Sequence, residues 1–229
     1  MEKFKFINRG FDKTLLLLPG WACDWRIFTH LDLPCDYIFA LSNGLKVCDI
    51  ADYLKVQNLE KISILGFSMG SFLAADFAEK YQQSVDRLLL ISSALKPDPD
   101  LMEEIKRKIE VNPKAFLYRF YLSCFAKGDR EGLSLFRREL MDDYLRTIDK
   151  DGLVKGLERL EAAALSVKGI NNVPTVIYHG REDKVFPLEN ISRAKTLCRQ
   201  MNLTVADDVG HIPFFNQQFL IRLKAAWKN

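Results

Sequence analysis

At 229 residues and 26.4 kDa the chain is longer than the commonest domain, a length that favours one large domain over two. Its 48% apolar and 11% aromatic residues can fill a sizeable core, and with 28% charged residues they exclude disordered and fibrous classes. Thirty-three Lys and Arg against 30 Asp and Glu leave a net charge of +3, too small and too evenly spread to make nucleic acid or an anionic membrane the default partner.

The start, Met-Glu-Lys-Phe-Lys-Phe, alternates charged and apolar side chains and has no signal-peptide h-region. Short apolar runs then mark strands at Thr14 to Leu18, Tyr37 to Leu41, Lys61 to Leu65 and Arg87 to Ile91. Between the second and third, Asp49, Ile50, Tyr53 and Leu54 fall at helical spacing, and Ser71 to Tyr81 is an Ala-rich helix after the third. Alternating strand and helix argues for an α/β fold, a mostly parallel sheet flanked by helices. From about Pro99 to Val167 the strands stop and helical periodicity takes over, with charged runs such as Glu103 to Lys108. Strands return at Val173 to Tyr178 and Leu203 to Ala206, and an amphipathic helix runs from about Phe215 to Trp227. The sheet brackets the helical stretch, so the expectation is one domain, with core 1–98 and 168–229 and a helical cap over about 99–167.

Five cysteines, Cys23, Cys35, Cys48, Cys124 and Cys198, are widely spaced with no C-x-x-C, which fits neither a disulfide framework nor a zinc site. They predict reduced thiols in the cytoplasm, and a monomer is expected. The uncharged apolar stretch Leu15 to Cys23, broken by Pro19 and Gly20, is too short to span a membrane.

The chemistry centres on Gly66-Phe67-Ser68-Met69-Gly70, a G-x-S-x-G between a strand and a helix. A serine hydroxyl is a weak nucleophile and must be held on a sharp, exposed turn within reach of a base. Glycines two residues to either side let the backbone make that turn, and the following helix points its N-terminal amides at any negative charge developing beside Ser68. The chain offers three histidines as base: His30, His179 and His211. In the hydrolase arrangement built on this turn the partners follow in the order serine, acid, histidine. That order selects His211, in Val209-Gly210-His211-Ile212-Pro213. Asp183, in the polar loop Gly180 to Pro187, is the acid that would orient His211, with Glu182 its near competitor; Asp207 and Asp208 are too close in sequence to His211. For the oxyanion of a tetrahedral intermediate the candidate donors are the backbone amides of Met69 and Trp21. The Trp21 indole either lines the acyl site or simply packs. No metal or organic cofactor is needed.

With Leu-Leu-Leu-Leu-Pro-Gly-Trp, Gly-Phe-Ser-Met-Gly-Ser, Gly-Arg-Glu-Asp-Lys-Val-Phe-Pro and Gly-His-Ile-Pro-Phe in order, the whole chain resembles the α/β-hydrolase superfamily. The Gly-Trp pair, the short helical cap and Tyr118-Arg119-Phe120-Tyr121-Leu122 look like the carboxylesterases of biotin synthesis that demethylate pimeloyl-[acyl-carrier protein] methyl ester. That resemblance implies an active-site role for Trp21. It also implies contact of an acidic carrier protein with Arg137 and Arg138, with Arg119 and Arg130 nearby. Two features depart from the pattern. Pro19 stands where most members carry a histidine, and Ser42-Asn43-Gly44-Leu45 replaces their usual Gly-x-Gly-x-Ser loop, so the rim should be shortened on that side.

The expected reaction is hydrolysis of a carboxylic ester, free or carrier-bound, through an acyl-enzyme on Ser68. The alternatives are a thioesterase, carbon–carbon hydrolase or menaquinone-type lyase using the same residues, and a non-catalytic binding protein on the same fold.

Overall fold

Seven strands form one sheet in the order β1-β3-β2-β4-β5-β6-β7, comprising β1 (Phe4–Ile7), β2 (Thr14–Leu18), β3 (Asp36–Ala40), β4 (Ile62–Phe67), β5 (Val85–Ile91), β6 (Thr175–Gly180) and β7 (Met201–Ala206). The computed structural model describes residues 2–42, 44–198 and 201–227, apart from the side chain of Lys195. From β3 through β7 every neighbouring pair is parallel. Every residue of β2, β3 and β4 is buried, as continuous apolar runs demand of strands covered on both faces.

The strand β1 was not among those expected. It pairs antiparallel with β3, Phe4 opposite Ala40, and forms the edge of the sheet. Its alternation of buried Phe4 and exposed Lys5 is what a strand at such an edge requires. The other expected strands differ from the observed ones at their ends. β4 continues through Gly66 to Phe67, because register with Leu90 and Ile91 of β5 persists to the turn at Ser68. β6 starts after Pro174, which has no amide to donate, and carries His179 as a strand residue.

Helices α1 (Val47–Val56) and α2 (Met69–Lys80) belong to the first half of the fold. Between β5 and β6 run α3 (Pro99–Val111), α4 (Pro113–Ser123), α5 (Arg130–Phe136), a π turn at Arg137–Met141, α6 (Asp142–Arg146), α7 (Lys150–Glu161) and α8 (Val167–Asn172). Short side chains set their starts. Asp98, Asn112, Asp129, Asp149 and Ser166 each accept a backbone amide of the helix they precede, and Pro99 and Pro113 supply the fixed first-turn φ. Each cap contributes about 1 kcal/mol. α8 packs on α2, so the helical stretch ends beside the sheet's covering layer. Helices α9 (Leu188–Ser192), α10 (Ala194–Leu197) and α11 (Gln217–Trp227) complete the chain. α11 starts two residues later than expected, because the Asn216 side chain accepts the Phe219 amide at 2.9 Å and leaves Phe215 in the loop.

In this topology the carboxyl ends of β2, β4, β6 and β7 lie along one edge, where an open α/β sheet places its ligand site. Among the described residues no helix is long and apolar enough to cross a membrane.

Candidate active site

Ser68 follows β4 directly and precedes α2, with φ 51° and ψ −116°, a conformation that L side chains adopt only under constraint. The constraint is local. The Ser68 amide donates to the Ile91 carbonyl at 2.9 Å, its carbonyl accepts from the Ser71 amide at 3.0 Å, and the Ser71 hydroxyl donates to the Gly66 carbonyl at 2.8 Å. The flanking glycines are there for space. A Cβ on Gly66 would sit 2.7 Å from the Gly70 carbonyl oxygen, and one on Gly70 would strike the backbone of Leu18 and Pro19 on β2 and its loop.

His211 Nε2 lies 2.9 Å from the Ser68 hydroxyl oxygen, and His211 Nδ1 lies 2.8 Å from Asp183 Oδ2. All three side chains are buried, with Ser68 at 4%, His211 at 3% and Asp183 at 5% exposure. The distances suit an imidazole whose Nδ1–H donates to the carboxylate and whose Nε2 accepts the serine proton. The other oxygen of Asp183 accepts the amides of Val185 and Phe186, both at 2.9 Å, which fixes the carboxylate before His211 arrives. The His211 ring is held between Phe67 and Phe186, with centroids 5.4 and 5.5 Å away. Its loop is docked on the segment after α4, where the Ile212 amide donates to the Cys124 carbonyl at 3.0 Å.

The competing residues are engaged elsewhere. The Glu182 carboxylate accepts the Lys127 amide at 3.2 Å, and Asp207 pairs with Arg181. His30 bonds to Glu139 at 2.7 Å. His179 stands behind the acid: its Nε2 donates to the Phe186 carbonyl at 2.8 Å and lies 3.6 Å from Asp183 Oδ2. Burial pushes the His179 imidazole below its ordinary pKa of 6.5, the neighbouring Asp183 carboxylate opposing that shift. Its Nδ1 has no hydrogen-bond partner among the described residues.

Trp21 follows Gly20, whose position is so close to Ser68 that a Cβ there would be 3.1 Å from Ser68 Cβ. The indole is buried and donates to the Leu153 carbonyl of α7 at 2.9 Å, with Phe120 of α4 edge-on at 5.3 Å. Trp21 and Met69 also border one cleft of roughly 410 Å³, with Ala22, Ser42 and Gly152 on its walls. The indole therefore packs and lines at once. Of the shortened rim, Asn43 lies outside the described residues.

The arginines do not form one cluster. Arg130, Arg137 and Arg138 border a groove with Tyr118, whose hydroxyl accepts from Arg137 at 3.2 Å. Arg119 borders a different groove, with Phe116, Phe120 and Lys184. Adjacent helix positions do not face the same way, so Tyr118 and Arg119 serve different surfaces of α4. Sequence reasoning also missed Tyr121, whose hydroxyl donates to the Ala22 carbonyl at 2.5 Å. Nothing in its helical spacing marks it off from the rest of the apolar face.

The model of the family described as "Serine aminopeptidase, S33" matches residues 47–217. The 2-hydroxy-6-oxo-2,4-heptadienoate hydrolase of Pseudomonas putida is 27% identical over 176 residues, a match that covers 72% of this chain and 62% of that relative's length. Among solved structures, an esterase from Exiguobacterium antarcticum superposes with a TM-score of 0.84 at 20% identity, covering 99% of this chain and 95% of the other. The enol-lactonase from Burkholderia xenovorans LB400 superposes with a TM-score of 0.79 at 16% identity, covering 98% and 93%. Both solved structures share the fold. The chain belongs to the Serine aminopeptidase, S33 family of α/β hydrolases.

Proposed function

We propose that the chain is a serine carboxylester hydrolase acting through Ser68, His211 and Asp183. The observation that carries this reading is the hydrogen-bonded series from Asp183 Oδ2 through both ring nitrogens of His211 to the Ser68 hydroxyl. Ser68 Oγ attacks the ester carbonyl while His211 Nε2 takes its proton, and the carbonyl pair moves to oxygen. Asp183 stabilises the imidazolium formed in that step. The amides of Trp21 and Met69 are the donors assigned to the oxyanion, a contribution of about 3 kcal/mol for each donor of this type. Collapse of the intermediate expels the alcohol, which takes the proton from His211. Water, deprotonated by the same nitrogen, then attacks the acyl-enzyme and releases the acid with Ser68 restored. No residue in this scheme calls for a metal or a cofactor.

The resemblance of the Gly20-Trp21 pair and of the helices between β5 and β6, acting as a cap, to the carboxylesterases of biotin synthesis supports a carboxylic methyl ester such as pimeloyl-[acyl-carrier protein] methyl ester as the substrate. On that reading the carrier protein meets Arg130, Arg137 and Arg138. The Ser68→Ala variant, folded by circular dichroism, loses turnover of p-nitrophenyl butyrate; retained turnover overturns the reading. A second reading is a dienoate carbon–carbon hydrolase, favoured by the name of the Pseudomonas putida relative. It uses the same three residues, and product analysis with both substrate types separates the two.

A further inference from the structure

Beside the candidate active site, α3, α4 and the loop after β6 enclose a second groove of roughly 830 Å³ that the scheme above does not use. Its walls carry Ile105, Phe116, Phe120 and Val185 beside the polar Asn112 and Ser123, and it abuts the site at two points. The Val185 amide is one of the two that hold Asp183, and the rings of Phe116 and Phe120 contact the Trp21 indole at 6.4 and 5.3 Å. Its rim is cationic. Arg107, Arg119 and Lys184 are exposed and form no ion pair among the described residues, while Glu104, which lines the groove too, pairs with Lys108 at 2.5 Å and attracts Arg107.

A largely apolar trough whose rim carries more cations than anions suits one kind of occupant, a hydrocarbon chain whose far end is negatively charged. A neutral chain would gain nothing from the cations at the rim, and a small anion would leave the aromatic floor uncovered. We propose that this groove binds the chain of an acyl substrate that carries an anionic group, a carboxylate or a phosphate, at the end remote from the reacting carbonyl. The acyl identity of the chain rests on the serine-hydrolase reading; the binding of an anionic amphiphile does not.

Binding is therefore measured directly by calorimetry at low salt, with octanoate and octyl phosphate carrying the two charges on one chain length and octanamide as the neutral control. The comparison is between wild type and the double variant Arg119→Glu with Lys184→Glu, both exposed sites where folding is checked by thermal melting. The double variant is expected to bind octanoate, octyl phosphate or both about tenfold more weakly or worse, while octanamide binding changes less than about twofold. The stronger wild-type ligand identifies the charge. Equal affinities of both proteins for both anions, or a matched loss for octanamide, overturn the proposal. A wild type that turns over no aryl ester defeats the serine-hydrolase reading instead, and the calorimetry still decides the groove.

Discussion

The Tyr121 hydroxyl on α4 donates to the Ala22 carbonyl in the loop after β2 at 2.5 Å, and so ties the helical stretch to the loop that carries the proposed oxyanion donor. Ala22 is at φ 58°, where a residue with a Cβ is held only by its surroundings. Burial raises the Tyr121 pKa well above its ordinary value, so the phenol remains a donor across the working pH range. Tyr121→Phe leaves that carbonyl unpaired. It should cost about 1–3 kcal/mol of stability, read as a lower urea midpoint, and reduce kcat for an aryl ester more than it raises KM. An unchanged kcat would show that the tie does not position the loop.

Asp183→Asn keeps one oxygen for the Val185 and Phe186 amides but presents an NH₂ to His211. The imidazole must then accept at Nδ1 and carry its proton on Nε2, where it cannot take one from Ser68. The fold should survive while kcat falls about 10⁴-fold. A loss of tenfold or less would mean that Asp183 is not the orienting acid.

Gly156 on α7 lies under the Trp21 indole, and a Cβ there would come within 2.7 Å of the ring. Gly156→Ala should displace the indole, break its bond to the Leu153 carbonyl and cost about 1–3 kcal/mol by overpacking. A shift in tryptophan emission with a lower Tm checks it; an unchanged spectrum and Tm would show that the contact relaxes freely.

His179 should make the protein acid-sensitive. The folded state holds its pKa below 6.5, whereas the unfolded chain takes up the proton near 6.5. Below that pH the unfolded state binds more protons, so stability falls as pH drops from 6.5 toward the folded pKa. Above 6.5 both states are neutral here and this residue adds no slope. Urea midpoints at pH 7.5 and 5.5 should differ less in His179→Asn than in wild type. Equal differences would remove His179 as the cause.

That Ser68, His211 and Asp183 would come together was legible because each lies in a short motif near a strand end, and chain order alone separated His211 from His30 and His179. The edge strand β1 was not, since four alternating residues beside charged neighbours carry little signal until β3 supplies the pairing. Tyr121, His179 and Gly156 were illegible for a different reason. Each acts through a partner about a hundred residues away or more, or across a loop, and neither spacing nor residue type encodes such a contact. The resemblance grouped Arg119 with Arg130, Arg137 and Arg138, and helix geometry sets Arg119 on a different groove from the other three.

The central claim is that Ser68 is an activated nucleophile, and covalent labelling tests it most directly. A fluorophosphonate probe followed by peptide mapping should place a single adduct on Ser68, with His211→Ala slowing the labelling by several orders of magnitude. No adduct on Ser68, or equal labelling in the His211→Ala variant, would contradict the account.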